Sequence, residues 1–209
     1  MAEPTVDLAL VLAMDCSGSV SNENHAIQLR GYALAVAHPA FVAAIAKNPL
    51  RRIALTFLQW AGEGRTNQSI PWAVIDSAAT AQTFADRVSR LPNMQPDYTS
   101  ISAAIDRAVR LLAAGPAARH RIIDISGDGA NNDGRSVLLA RDAAVDAGII
   151  INGLPIIAGE PNIAEYYASN VIGGPNAFIE VVRDLESFPI ALLRKLTTEI
   201  VRRPTPSRA

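Results

Sequence analysis

The sequence predicts an α/β fold: a doubly wound, mostly parallel six-stranded sheet with one antiparallel edge strand and helices on both faces. Three observations carry that expectation. Runs such as Val6–Met14 and Arg121–Ser126 are almost continuously apolar, as in strands covered on both sides. Segments with helical spacing of apolar residues alternate with those runs, and connections of that length imply crossovers between parallel strands. Clusters of Ser, Gly, Asp and Pro mark the ends of both kinds of element.

Each element follows in order. Val6–Met14 is the first strand, with Asp15 at its carboxyl end and a Ser/Gly turn after it. Leu29, Ala33, Val36 and Ala37 then recur on one helical face, and Pro39 marks the stop. Arg52–Trp60 is a second strand, and Gly62-Glu63-Gly64-Arg65 turns into a further strand over Gln68–Val74, where Pro71 argues for an edge position. Thr80–Arg90 reads as a short helix broken by the prolines at 92 and 96. A better helix carries Ile101, Ile105, Ala108 and Leu112 on one face and closes at Gly115-Pro116. Arg121–Ser126 is a buried-type strand running into Gly127-Asp128-Gly129, and Val137, Ala140, Ala144 and Ala147 share the face of the next helix. Ile149–Pro155 is a strand, Ile163–Asn170 a helix and Ala177–Val182 the last strand. Ser187 is placed to cap a final helix running to about Val201, with Pro189 in its first turn.

A chain of 209 residues suits one domain, expected over residues 1–203, with 204–209 a solvated tail lacking core-forming residues. Nineteen Lys and Arg balance twenty Asp and Glu, so no global field gathers nucleic acid. The longest apolar runs are too short to span a bilayer. The N-terminus lacks the basic and apolar stretches of a secretion signal, so the chain reads as cytoplasmic, with periplasmic or secreted residence the alternative if such a segment has been removed. Cys16 is the only cysteine, which excludes an internal disulfide; a small buried hydrophobe is its expected role. His25, His38 and His120 lack ligand spacing and are expected in surface or capping roles. Asp124, inside an apolar strand, should be paired or at an edge of burial.

The chemistry gathers in three loops at the carboxyl side of the predicted sheet, where open parallel sheets hold their ligands. They carry Asp15, Ser17 and Ser19; Asp97 to Ser100; and Asp128. A hard divalent cation wants about six oxygen ligands and retains waters. Alternate positions 15, 17 and 19 of an extended loop point the same way, whereas Cys16 and Gly18 point elsewhere. The bland alternative is a polar turn that caps the first helix.

Asp15-x-Ser17-x-Ser19 closing an apolar strand, followed by Thr99 opening a helix and Asp128-Gly129 after a buried strand, resembles the metal-ion-dependent adhesion site of von Willebrand factor A (VWA) domains. The resemblance spans roughly residues 6 to 201. Ile122 to Asn132 further resembles a bacterial subgroup of these domains, the DUF1194 type. The resemblance implies a Rossmann-like fold and an Mg²⁺ site, with Mn²⁺ or Ca²⁺ as alternatives. In it Ser17, Ser19 and Thr99 supply hydroxyls, Asp15 and Asp128 act largely through waters, and an acidic residue of a partner protein completes the coordination. Two positions depart from the pattern. Asp97 stands where the family commonly has Gly, adding negative charge near the ion, and Gly127 stands where Thr is common. Ser100 is the substitute for Thr99 if the loop shifts.

The expected function is therefore a non-catalytic protein-protein interaction module. The runner-up is a metal-dependent phosphoryl-transfer enzyme with Asp15 as nucleophile, but position 17 is Ser and the only lysines are Lys47 and Lys195. A metal-free structural domain is the third reading. Nucleotide binding fails for want of a glycine-rich phosphate loop. Asn131, Asn132 and Asp133 read either as a rim that touches a partner or as ordinary turn chemistry.

Overall fold

The computed structural model describes residues 5–94, 98–157, 160 and 162–201. The expectations for Asp97 and for the tail 204–209 lie outside these residues. Among the described residues five strands hydrogen-bond in the order β3-β2-β1-β4-β5. They are β1 (Val6–Asp15), β2 (Ile53–Trp60), β3 (Thr66–Ile75), β4 (Ala118–Gly127) and β5 (Ile150–Pro155). β1 pairs in parallel with β2 and β4, β4 in parallel with β5, and β3 runs antiparallel at the edge. The pairing of β2 with β3 slips opposite Pro71, whose missing N–H an edge strand tolerates. The sixth strand is present in reduced form. Ile179 and Val182 make single parallel bridges to Gly153 and Ile156 at the other edge.

Strand alternation sends the side chains of β1 to two different cores. Leu8, Leu10, Leu12 and Met14 pack beneath α1 (Asn22–Ala37), α2 (Pro39–Ala46), α3 (Ala78–Val88) and α7 (Phe188–Val201). Ala9, Val11 and Ala13 face α4 (Ile101–Ala113) and α5 (Val137–Asp146) on the opposite side. No single helix among the described residues is long and apolar enough to cross a membrane.

Three local expectations needed correction. Pro39 ends α1 but also occupies the first position of α2, where its lost N–H costs nothing; His38 accepts the Ala40 N–H at 3.1 Å as the cap. The helix expected over Ile163–Asn170 is one α-turn, α6 (Ile163–Tyr166), that widens into a π-helical turn at Tyr167–Val171. Ser187 does precede α7, but its hydroxyl donates to the Asp184 carbonyl at 2.8 Å.

Asp124 is paired. It lies wholly buried in β4, where Lys195 Nζ of α7 approaches Oδ1 to 2.6 Å as an ion pair. The same ammonium donates to Glu199 Oε1 at 2.6 Å, which also accepts from Asn152 Nδ2 at 2.9 Å. Burial pushes the carboxyls of Asp124 and Glu199 up, Glu199 to about 7, against the pull of Lys195.

Candidate metal centre

The sheet grows from β1 in two directions, toward β2 and toward β4. Helices therefore leave the ends of β1 and β4 on opposite faces, and a crevice opens between them. Asp15 closes β1 on one side of that crevice, and Asp128 follows β4 on the other.

The predicted residues converge there. Ser19 Oγ donates to Asp128 Oδ1 at 2.5 Å, bridging the two strand ends, and Ser17 Oγ lies 3.3 Å from Ser19 Oγ. Asp15 is fully buried and its Oδ1 accepts the Ser17 N–H at 2.7 Å. Cys16 turns the other way, into the core beneath α1. Burial, followed by the Asp15 charge, pushes its thiol up to about 12, so it behaves as the expected hydrophobe. Thr99 sits immediately before α4, and its hydroxyl lies 3.6 Å from where a Cβ on Gly129 would stand. Gly18, Ser19, Thr99, Asp128, Gly129 and Asn132 line an open cleft of about 500 Å³, with Tyr98 and Glu160 at its edge.

None of the proposed ligands is spent on capping. The cap of α1 is Ser21, whose side chain accepts the Asn24 N–H at 3.1 Å. Ser100 caps α4 and also donates to the Asp133 carbonyl at 2.9 Å. Ser100 is thus engaged elsewhere, and the Thr99 hydroxyl is left to the cleft.

What holds Thr99 was hidden in the sequence. Its N–H donates to Asn132 Oδ1 at 2.8 Å, and its carbonyl accepts from the N–H groups of Asn132 and Asp133 at 2.9 and 3.2 Å. Asn131 Oδ1 accepts the Ser102 N–H at 3.0 Å, and Asp133 Oδ2 accepts the Glu63 N–H at 2.6 Å. The Asn-Asn-Asp run therefore lashes the Thr99 loop to the Asp128 loop. An NND sequence signals a turn; its long-range partners carry no local signal. His25 is another departure from expectation. The first turn of α1 folds over the end of β2, so the ring is buried and its Nε2 lies 3.0 Å from Gln59 Nε2, beside Cys16.

The electrostatics suit a hard cation. Burial, reinforced by the charge of Asp128 and opposed by the hydrogen bonds from Ser17, pushes the Asp15 carboxyl up to about 7. Asp15 Oδ2 is buried and receives no hydrogen bond from the described residues. A buried carboxylate facing a second one is the environment that a divalent cation reverses. Among the described residues no three His, Cys, Asp or Glu side chains come together as metal ligands. The donor set is two carboxylates and three hydroxyls, all oxygen, which fits Mg²⁺, Mn²⁺ or Ca²⁺ with retained waters better than a soft thiolate-binding metal.

No curated protein matches the chain. Solved structures do. A von Willebrand factor type A protein from Catenulispora acidiphila is 15% identical with a TM-score of 0.66, over 94% of this chain and 43% of that one. Proximal thread matrix protein 1 from the mussel byssus, with a zinc-occupied MIDAS motif, is 14% identical with a TM-score of 0.64, over 94% and 45%. The vWF domain of the type V pili tip protein Mfa5 from Porphyromonas gingivalis is 10% identical with a TM-score of 0.63, over 98% and 99%. The chain spans less than half the length of the first two, and identities this low speak for the fold alone. The fold is that of VWA domains, and the family model described as a protein of unknown function, DUF1194, matches residues 5–204, so the chain belongs to that family.

Proposed function

We propose that the chain is a non-catalytic protein-binding module that recognises its partner through a divalent cation, Mg²⁺ or else Mn²⁺ or Ca²⁺. The observation that carries this reading is the gathering of Ser19, Thr99 and Asp128 on an open cleft at the strand ends where the sheet reverses, with Asp15 and Ser17 buried beside them and Ser21 and Ser100 doing the capping. Ser17, Ser19 and Thr99 would hold the ion through hydroxyls, and Asp15 and Asp128 through waters. Neutral hydroxyls leave positive charge unquenched, and that charge attracts a carboxylate from outside. The partner is accordingly a protein that presents an acidic side chain.

The placement of the two lysines disfavours phosphoryl transfer. Lys195 is committed to Asp124 and Glu199 in the core, and Lys47 follows α2 on the approach to the amino end of β2, at the opposite end of the strands from Asp15. Neither cation meets a phosphate beside Asp15.

The test is calorimetric titration with MgCl₂, followed by partner capture with and without chelator. Wild-type protein should bind one ion and lose its partners in chelator. Capture that survives both chelator and the Asp15→Ala/Ser17→Ala double substitution refutes the proposal.

A further inference from the structure

We propose that Tyr167 is a positioning residue of this centre: its phenol O–H is placed to donate to Asp15 Oδ2 across the space that Gly127 leaves open. The inference rests on the metal-site reading for its consequence, though not for its geometry.

The two oxygens of Asp15 are treated differently. Oδ1 takes the Ser17 N–H, whereas Oδ2 is buried and receives no hydrogen bond from the described residues. The Tyr167 hydroxyl is likewise buried and makes no hydrogen bond among the described residues. Both face one point. A Cβ built on Gly127 would lie 2.5 Å from the Tyr167 hydroxyl and 2.7 Å from Asp15 Oδ2, so any side chain at 127 would separate them. The ring has a matching track on the neighbouring strand. A Cβ on Gly153 of β5 would stand 2.8 Å from Tyr167 Cδ1, and Gly153 pairs with Ile125, two residues before Gly127 on β4. Two glycines thus clear a path along which the tyrosine crosses β5 and β4 to reach the end of β1. The backbone adjusts at the same residue: the α6 turn widens at Tyr167, where the Ile172 N–H donates to the Tyr167 carbonyl at 3.0 Å, five residues apart. Such π-turns frequently sit at functional sites.

A carboxylate held at both oxygens keeps one orientation, and orienting partners of metal ligands typically change metal affinity by about 10 to 100-fold when removed. Tyr167→Phe keeps the ring and deletes the donor. It should weaken Mg²⁺ binding about tenfold in calorimetry. Unchanged affinity overturns the positioning role. A second measurement, made in chelator, stands apart from the metal: urea midpoints of wild type, Tyr167→Phe, Asp15→Ala and the double variant. If the hydroxyl serves Asp15, the two shifts are non-additive, with Tyr167→Phe costing less once Asp15 is gone. Additive shifts overturn the pairing. A wild-type protein that binds no Mg²⁺ would refute the functional proposal, while the chelator cycle would still decide whether Tyr167 and Asp15 are coupled.

Discussion

Replacing Lys195 by Met tests the buried charge cluster that ties α7 to the sheet. The substitution roughly keeps the length of the side chain and removes the ammonium that pairs with Asp124 and Glu199, all three groups being buried. Breaking a buried pair by deleting one partner costs about 3–5 kcal/mol, because the remaining charges have no compensation. The pH dependence gives the sharper check. In the intact protein burial and the neighbouring Asp124 hold the Glu199 carboxyl at about 7, against an ordinary 4.5. Between those two values the folded chain binds more protons than the unfolded one, so stability falls as pH rises through the window and levels off above it. At about 1.4 kcal/mol per pH unit, this group alone accounts for a fall of about 3 kcal/mol. Without Lys195 both carboxyls must stay protonated to remain buried, so the window extends upward and the penalty grows with pH. Urea unfolding at pH 5, 6.5 and 8 reads this directly. Lys195→Met should trail wild type by about 3–5 kcal/mol at pH 8 and by less than half as much at pH 5. A difference that does not vary with pH, or a loss under about 1 kcal/mol at pH 8, refutes the account of the cluster.

Three further outcomes follow from the site. Mg²⁺ at about 100 times its dissociation constant should add about 2.7 kcal/mol and raise Tm by about 5–10 °C, and chelator should reverse the shift; a Tm indifferent to Mg²⁺ counts against the metal reading. Ser21→Ala and Ser19→Ala should behave oppositely. The first loses the α1 cap, about 1 kcal/mol in denaturant unfolding, and keeps Mg²⁺ affinity, whereas the second weakens Mg²⁺ in calorimetry with little loss of stability. Asn132→Ala removes the acceptor for the Thr99 N–H and should cost about 1–3 kcal/mol in unfolding while also weakening Mg²⁺; unchanged affinity would show that the Thr99 loop holds its place unaided.

The alternation of apolar runs with helical periods was enough to foresee the parallel sheet, the antiparallel edge at Pro71 and the strand ends that carry Asp15 and Asp128. Those features are local: a strand covered on both faces must be apolar throughout, and a proline must find an edge. The residues proposed to hold the ion were singled out in sequence by their ordered resemblance to the VWA adhesion site, whereas Ser21 and Ser100 emerged as the helix caps only in the folded chain. α2 was missed because Pro39 both ends one helix and starts another, and its local signal is the same in either role.

Tertiary structure alone decided the rest. Asn132 meets Thr99 across 33 positions of chain, Lys195 finds Asp124 across the core, and Tyr167 reaches toward Asp15 over two glycines on neighbouring strands. In sequence these are a turn residue, a helix lysine and an aromatic. Burial and hydrogen bonding depend on which surfaces are brought face to face, and only the completed sheet, with helices on both sides, sets those distances.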